Sequence, residues 1–357
     1  MDSPVFAKED APNIMIIHSY DLCYQWTSGQ DEGIRTTVLE SYPTANIYTE
    51  NLDSKRISEA YIMSTQKDVF VDKYANIDFD LMLATEQNSL EKLFDNEYNM
   101  INAIEHGIEN NEFYLVFQPI MTLDGSQIHS FEALLRWNSS CYGAVSPSEF
   151  IPIAETGGQI LELGDKVIDM AIDFIKMLQK NQQKVSTVSI NISVVQFYEA
   201  DFVSNLLAKL KHHQINNAMI QLEIIESLMI HSYEMIRSKL DELKANNITV
   251  ALDDFGTGYS SLSHISKLPI DIVKIDKQFV DAILEDKEGK LIIDTICTLT
   301  KSLSLKTIAE GVETVAQLDY IKKCGCDFIQ GYYYSKPLMA NDALIFIKNH
   351  QQPQKML

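Results

Sequence analysis

From about Met100 onward, apolar runs of strand length recur at regular intervals. They are Phe113 to Phe117, Ser130 to Leu134, Thr187 to Ile190, Ile220 to Glu223, Thr249 to Leu252, Ile272 to Ile275, Thr307 to Ala309 and Phe328 to Gln330. Most are separated by stretches of helical periodicity, including Leu161 to Leu178, Phe202 to Leu210, Tyr233 to Leu243 and Leu291 to Leu303. Eight strands interleaved with helices predict an α/β chain folded as a TIM-like (β/α)8 barrel. The first connection is different. Leu123-Asp124-Gly125-Ser126 reads as a hairpin turn, so the first two strands should run antiparallel.

The first 97 residues carry a shorter pattern. Asn13 to His18 reads as a strand, Glu32 to Glu40 as a helix, Ala45 to Tyr48 as a strand, Ile57 to Asp72 as a helix and Phe79 to Thr85 as a strand. This predicts a small α/β segment over 1–97, followed by the barrel over 98–357. No glycine-rich phosphate loop follows its first strand, and Asp80 and Glu86 form no carboxylate cluster in the sequence.

Composition narrows the partners. Lys and Arg total 29 against 50 Asp and Glu, a formal net charge of -21. That balance excludes a general binder of polymeric nucleic acid, which needs cations to neutralise phosphates. It leaves room for a small anionic substrate if bound cations invert the field of an acidic pocket. No run reaches the length of a membrane span, and Met1-Asp2-Ser3-Pro4 lacks the basic and apolar regions of a signal peptide, so a cytoplasmic location is expected. The five cysteines have no zinc-like grouping; Cys324-Gly325-Cys326 is too tight for it, and reduced, buried thiols are expected.

The candidate chemistry collects at strand ends. Asp253 and Asp254 close an apolar strand and lead into Phe255-Gly256-Thr257-Gly258. Adjacent carboxylates repel unless a cation sits beside them, so the pair is a candidate metal site; a helix cap followed by a turn is the alternative reading. Asn191, Glu223, Glu310 and Gln330 occupy the ends of other strands, with Glu132 and Lys274 inside theirs. Barrel chemistry sits at the carboxyl ends of the strands. A histidine-free set of hard oxygen donors suits Mg²⁺ or Mn²⁺.

These positions fall inside a series of motifs: Gln118-Pro119, Glu132-Ala133-Leu134-Leu135-Arg136-Trp137, Asn191-Ile192-Ser193, Glu223-Ile224-Ile225-Glu226, Asp253 to Gly258, Lys274-Ile275-Asp276, Glu310-Gly311-Val312-Glu313 and Gln330-Gly331-Tyr332. In that order they resemble the EAL-domain family of bacterial cyclic di-GMP phosphodiesterases. The resemblance implies hydrolysis of cyclic di-GMP to pGpG with two Mg²⁺ or Mn²⁺ ions, Ca²⁺ being inhibitory. It implies that Glu132, Asn191, Glu223 and Asp253 hold one ion and that Asp253 bridges to a second held by Asp254. Lys274 and Glu310 would position and activate the attacking water, with Gln330 supporting the site. Arg136, Gln118 and Asp276 would meet the substrate. Glu226 would anchor the loop from Phe255, which couples metal binding to a homodimer formed through the barrel. Position 225 is Ile where the family usually has Thr, a packing difference. A non-catalytic cyclic di-GMP receptor and a protein-interaction scaffold are the competing functions. Arg136 beside Trp137 could instead be a stacked surface pair, and Tyr332 to Tyr334 a base-stacking or rim-packing run. Residues His18-Ser19-Tyr20 through Trp26 resemble the start of a periplasmic-binding-protein-like sensor domain.

Overall fold

The computed structural model describes residues 12–18, 34–39, 42–51, 81–84, 99–183, 185, 187–226, 228, 233–256, 267–285 and 287–351. The chain divides into two compact units, Met1–Asn102 and Ala103–Leu357. The helix expected over Ile57 to Asp72, Asp80, Glu86, and the segment Ser19 to Trp26 lie outside the described residues.

In the first unit, β1 (Asn13–His18) lies between β2 (Asn46–Asn51) and β3 (Leu81–Ala84), and both neighbours are parallel to it. A helix over 34–39 stands between β1 and β2 in sequence, as a parallel connection requires. Ile14 and Ile16 are fully buried, two positions apart as one face of a strand demands.

The second unit is a closed barrel. A long hairpin opens it, β4 (Phe113–Thr122) against β5 (Ile128–Ser139), paired from Phe113↔Trp137 to Met121↔Ile128. Six strands follow that are parallel to β5 and to one another: β7 (Thr187–Asn191), β8 (Ile220–Ile225), β9 (Thr249–Phe255), β10 (Ile272–Ile275), β11 (Lys306–Ala309) and β12 (Phe328–Gln330). Closure comes where β12 meets β4 antiparallel, with Gln330 opposite Ile120. The reversed strand is therefore β4, as the hairpin turn predicts. A short strand unseen in the sequence pattern, β6 (Gly143–Val145), adds to the far end of β5.

Helices wrap the barrel. They are α1 (Pro147–Gly157), α2 (Ile160–Lys180), α3 (Val194–Tyr198), α4 (Phe202–His212), α5 (Tyr233–Ala245), α6 (Lys277–Glu285), α7 (Lys287–Ser302), α8 (Val315–Cys324) and α9 (Ala340–Gln351). Leu163, Val167, Ala171, Ile175 and Leu178 repeat every three or four residues along α2 and are all buried. Local chemistry sets the ends. Ser193 with Gln196 and Thr314 with Gln317 form capping boxes at α3 and α8. Phe131, Ala133, Val188, Ile190, Leu222, Val250, Leu252 and Val273 join the helices in the main apolar core, so alternate strand positions face outward. Burying each large side chain contributes about 1.5–3 kcal/mol. Ile120, Ala251, Ile272 and Ile308, with Phe328, form a second small cluster.

Two expectations need correction. Trp137 is no surface partner for Arg136: it is buried, stacked on Phe113 at 5.1 Å, and donates its indole N–H to Glu112 at 3.0 Å. Alternation along β5 leaves Arg136 half-buried and turns its neighbour into the core. Nor are all the thiols buried: Cys297 and Cys326 are, Cys324 is half-buried, and Cys141 is exposed in the turn between β5 and β6.

Candidate functional site

Because side chains alternate along a strand, each barrel strand that ends in a polar residue carries its inward partner two positions deeper. Glu132 follows Ser130, Asn191 follows Ser189, Glu223 follows Gln221, Asp253 follows Ala251, Lys274 follows Ile272, Glu310 follows Ile308 and Gln330 follows Phe328. In the reversed β4 the order inverts, and Gln118 precedes Ile120.

At the centre is Lys274, 1% exposed, with four carboxylates on its ammonium. Its Nζ lies 2.6 Å from Glu223, 2.6 Å from Glu310, 3.2 Å from Asp253 and 3.6 Å from Glu132. Burial alone would lower its pKa, but these carboxylates, Asp253 foremost, hold it well above the usual lysine range. One cation does not balance four anions. Burial and the charge of Glu132 push Glu223 well above the carboxylate range, and burial drives Glu310 up to about 8 against the pull of Lys274. Glu132 goes the other way. Burial opposes its charge, but Lys274 and hydrogen bonds from Gln330 and Asn191 hold it low.

A second layer of hydrogen bonds orients these groups. Asn191 Nδ2 donates to Glu132 Oε1 at 2.7 Å, and Gln330 Nε2 donates to Glu132 Oε2 at 2.6 Å. Gln330 also donates to Gln118 Oε1 at 3.2 Å, and Gln118 Nε2 donates to the Ser335 carbonyl at 3.3 Å. Gln221 donates to Glu223 Oε1 at 3.4 Å. Gly331 lets the chain pass Val312: an added Cβ would meet the Val312 carbonyl oxygen at 2.1 Å.

The two aspartates at the end of β9 differ. Asp253 is buried against Lys274, whereas Asp254 sits in the left-handed region at φ 52°, a conformation that Asp tolerates better than most residues. Its backbone N–H donates to Asp253 Oδ1 at 3.0 Å. Burial, then the charges of Asp253 and Asp276, push Asp254 up to about 6. Gly256 follows at φ 96°, and its N–H donates to Glu226 Oε2 at 3.1 Å. The loop expected from Phe255 to Leu262 is described only as far as Gly256, so the capping alternative for Asp253-Asp254 lies outside the described residues.

The structure thus brings Glu132, Asn191, Glu223, Asp253, Lys274, Glu310, Gln330 and Gln118 into one network, with Asp254 and Asp276 beside it. Asp276 accepts the Gln278 N–H at 2.9 Å, which fixes it at the start of α6. Arg136 stands apart: its guanidinium donates to the Leu135 carbonyl at 2.8 Å. Above the network is a cavity of about 350 Å³, lined among others by Gln118, Glu132, Asp253, Glu310, Gln330 and Tyr332. Gln221 and Lys277, whose ammonium lies 2.7 Å from Glu313 at the rim, escaped the sequence reading as parts of this site. Strict alternation with Glu223 on β8 is the signal that could have found Gln221.

The residues present fit a divalent cation. Oxygen atoms of Glu132, Glu223 and Asp253 lie within 4.8 Å of one another, the one such group among the described residues. They are hard donors in a buried setting with excess negative charge. Gln330, whose Nε2 donates to Glu132, has its Oε1 buried with no hydrogen-bond partner. The buried acidic cluster is therefore capable of coordinating a divalent metal ion.

Comparison with known proteins is consistent with this chemistry. The family profile described as the EAL domain matches residues 101–337. The bifunctional diguanylate cyclase/cyclic di-GMP phosphodiesterase MucR of Pseudomonas aeruginosa is 30% identical over 258 residues, 72% of this chain and 38% of that protein. The cyclic di-GMP phosphodiesterase PdeL of Escherichia coli is 31% identical over 316 residues, 87% of this chain and 86% of that protein. The solved structure of the P. aeruginosa MucR phosphodiesterase in complex with cyclic di-GMP superposes with a TM-score of 0.66 at 30% identity, covering 69% of this chain and 99% of that one. The chain spans 38% of MucR and 30% of the E. coli oxygen sensor protein DosP, another relative at 34% identity over 67% of this chain.

Proposed function

This chain belongs to the EAL-domain family, and from that premise we propose that it is a metal-dependent phosphodiesterase that opens cyclic di-GMP to the linear dinucleotide pGpG. The observation that carries the reading is the convergence of Glu132, Glu223, Asp253 and Glu310 on the buried ammonium of Lys274, at the carboxyl end of a closed barrel. A site with that charge excess binds cations first and an anionic phosphodiester through them. Relatives whose structures hold cyclic di-GMP support the substrate.

Glu132, Asn191, Glu223 and Asp253 would hold one Mg²⁺ or Mn²⁺, and Asp253 with Asp254 a second. Bound there, the ions neutralise phosphodiester charge and lower the pKa of the attacking water. The chain's own groups do the rest. Lys274 keeps its proton and donates toward the developing oxyanion. Glu310, held 2.6 Å from the Lys274 ammonium at the floor of the cavity, would accept a proton from the attacking water. Gln330 and Asn191 fix the rotamer of Glu132. Gln118 and Asp276 meet the substrate at the rim, and Arg136 reorients from its present carbonyl contact to reach a phosphate. Glu226 holds Gly256 and so the loop that links the metal site to a homodimer interface on the barrel. Residues 1–97 form a small sensor-like module ahead of the barrel at 98–357, and the protein acts in the cytoplasm; no helix among the described residues is long and apolar enough to cross a membrane.

The test is cyclic di-GMP turnover with Mg²⁺ or Mn²⁺, the intact chain against Asp253→Asn. Hydrolysis by the intact chain alone is the expected result, with Ca²⁺ inhibiting because its flexible coordination does not align the reacting oxygens. Binding without turnover under both metals makes the chain a cyclic di-GMP receptor and ends the catalytic reading. A cellular effect unchanged by Asp253→Asn makes the barrel a scaffold.

A further inference from the structure

Cys297 and Cys326 are separated by a strand and a helix in sequence, yet their sulfurs lie 3.4 Å apart and both side chains are almost wholly buried. Cys297 belongs to α7, and Cys326 sits just past the α8 terminus at Gly325, on the residues that lead into β12. The flanks on the Cys326 side are pinned. Gly325 caps α8 in the left-handed conformation, and Asp327 accepts hydrogen bonds from Thr307 and an ion pair from Lys306 at 2.6 Å. Two thiols held this way need an approach of a little over 1 Å to reach the roughly 2.05 Å of a disulfide bond. The third thiol, Cys324, is turned elsewhere and donates to Asp294 Oδ1 at 3.1 Å. The three sulfurs do not form a metal site, since the one group of three or more converging ligand atoms among the described residues is Glu132, Glu223 and Asp253.

We propose that Cys297 and Cys326 are an oxidant-sensitive pair that closes to a disulfide and ties α7 to the strand carrying Gln330. A hydroperoxide is the oxidant. It converts one thiol to a sulfenic acid and leaves as the alcohol, or as water when the oxidant is hydrogen peroxide. The second sulfur then attacks the first, the S–S bond forms and a water molecule departs. Two thiol hydrogens and one peroxide O–O bond are consumed, and a dithiol restores both thiols. The bridge closes a loop through α7, β11 and α8, constraining the unfolded chain more than the folded one.

The test uses the full chain, reduced and then treated with hydrogen peroxide, alkylated and mapped by peptide mass spectrometry. The exposed Cys141 serves as the internal gauge of oxidant exposure. A cross-linked peptide joining Cys297 to Cys326, reversed by dithiothreitol and retained in Cys324→Ser, is the expected result, together with a Tm raised by about 5 °C. A bridge between Cys324 and Cys326, or full oxidation of Cys141 with Cys297 and Cys326 both still free, overturns the proposal.

Discussion

The upper and lower floors of the barrel interior are built by the same eight strands but are held differently. Two positions below the site, Ile120, Ala251, Ile272, Ile308 and Phe328 pack into an apolar plug on the side of β4 and β9 to β12. Across from them Ser130, Ser189 and Gln221 make the floor beneath Glu132, Asn191 and Glu223 polar, and the Ser130 and Ser189 hydroxyls are buried without a partner. The apolar side of the lower floor is held by burial of its surface. The upper floor is held by one lysine against four carboxylates, which stabilises the neighbours of Lys274 and leaves the carboxylates in mutual repulsion. On the side of β9 to β12, apolar packing and chemistry are therefore stacked along the barrel axis.

The contrast is sharpest if the lysine is removed. Lys274→Met leaves four buried carboxylates without their cation, so stability should fall by about 3–5 kcal/mol in urea denaturation, with activity lost as well. Retained stability would mean that the upper floor is more solvated than its burial indicates. Asp253→Asn should separate the two functions. Turnover of cyclic di-GMP should drop on the order of 10³-fold, while the Tm without metal holds or rises because a like charge has gone. Below, Ile272→Ala should lower stability by about 2–4 kcal/mol through the cavity it opens, with kcat little changed at a temperature where the variant is folded. A kcat loss matching that of Asp253→Asn would erase the distinction between the floors.

The smallest effect concerns pH. Asp254 has its folded pKa raised to about 6 from 3.8, chiefly by burial. The folded state then binds the proton more tightly than the unfolded chain does, so this group's contribution falls as pH rises from the ordinary carboxylate range through about 6. Solvent screens this half-exposed group, so the slope is small. Tm measured in EDTA should fall from pH 5 to pH 7, and Asp254→Asn should remove only this group's share of the fall, because Glu223 and Glu310 are raised as well and act with the same sign. Saturating Mg²⁺ should reverse its sign, because metal binding requires the ionised carboxylate.

Much of the barrel was legible because its signals are local. Period-two alternation marks Ile220 to Glu223 as strand whatever surrounds it, and the Asp124-Gly125 turn predicts the reversed first pair; Gly125 has φ 71°. Strand ends also announced the polar residues, since an apolar run that stops at Asp253 or Glu310 stops at an end of the sheet. Other features had no local signal. The contact of Gln330 with Glu132 spans 198 residues, and the approach of Cys297 to Cys326 depends on the packing of α7 beside the entry to β12. Trp137 could not be told from a surface aromatic until β5 was paired with β4. Arg136 was nominated from its motif, yet in this conformation it contacts a main-chain carbonyl.

The sequence by itself determined the order of the eight main barrel strands, the reversed hairpin, the family and the set of polar side chains offered at the strand ends, because propensity, turn chemistry and alternation act over a few residues. Only the tertiary structure decided that four of those carboxylates share one lysine, and that Gln118 reaches Gln330 across the seam where β12 meets β4. Closure of the barrel brings together residues far apart in the chain, and the charge balance that makes an acid a ligand or a proton acceptor exists only after that closure excludes water.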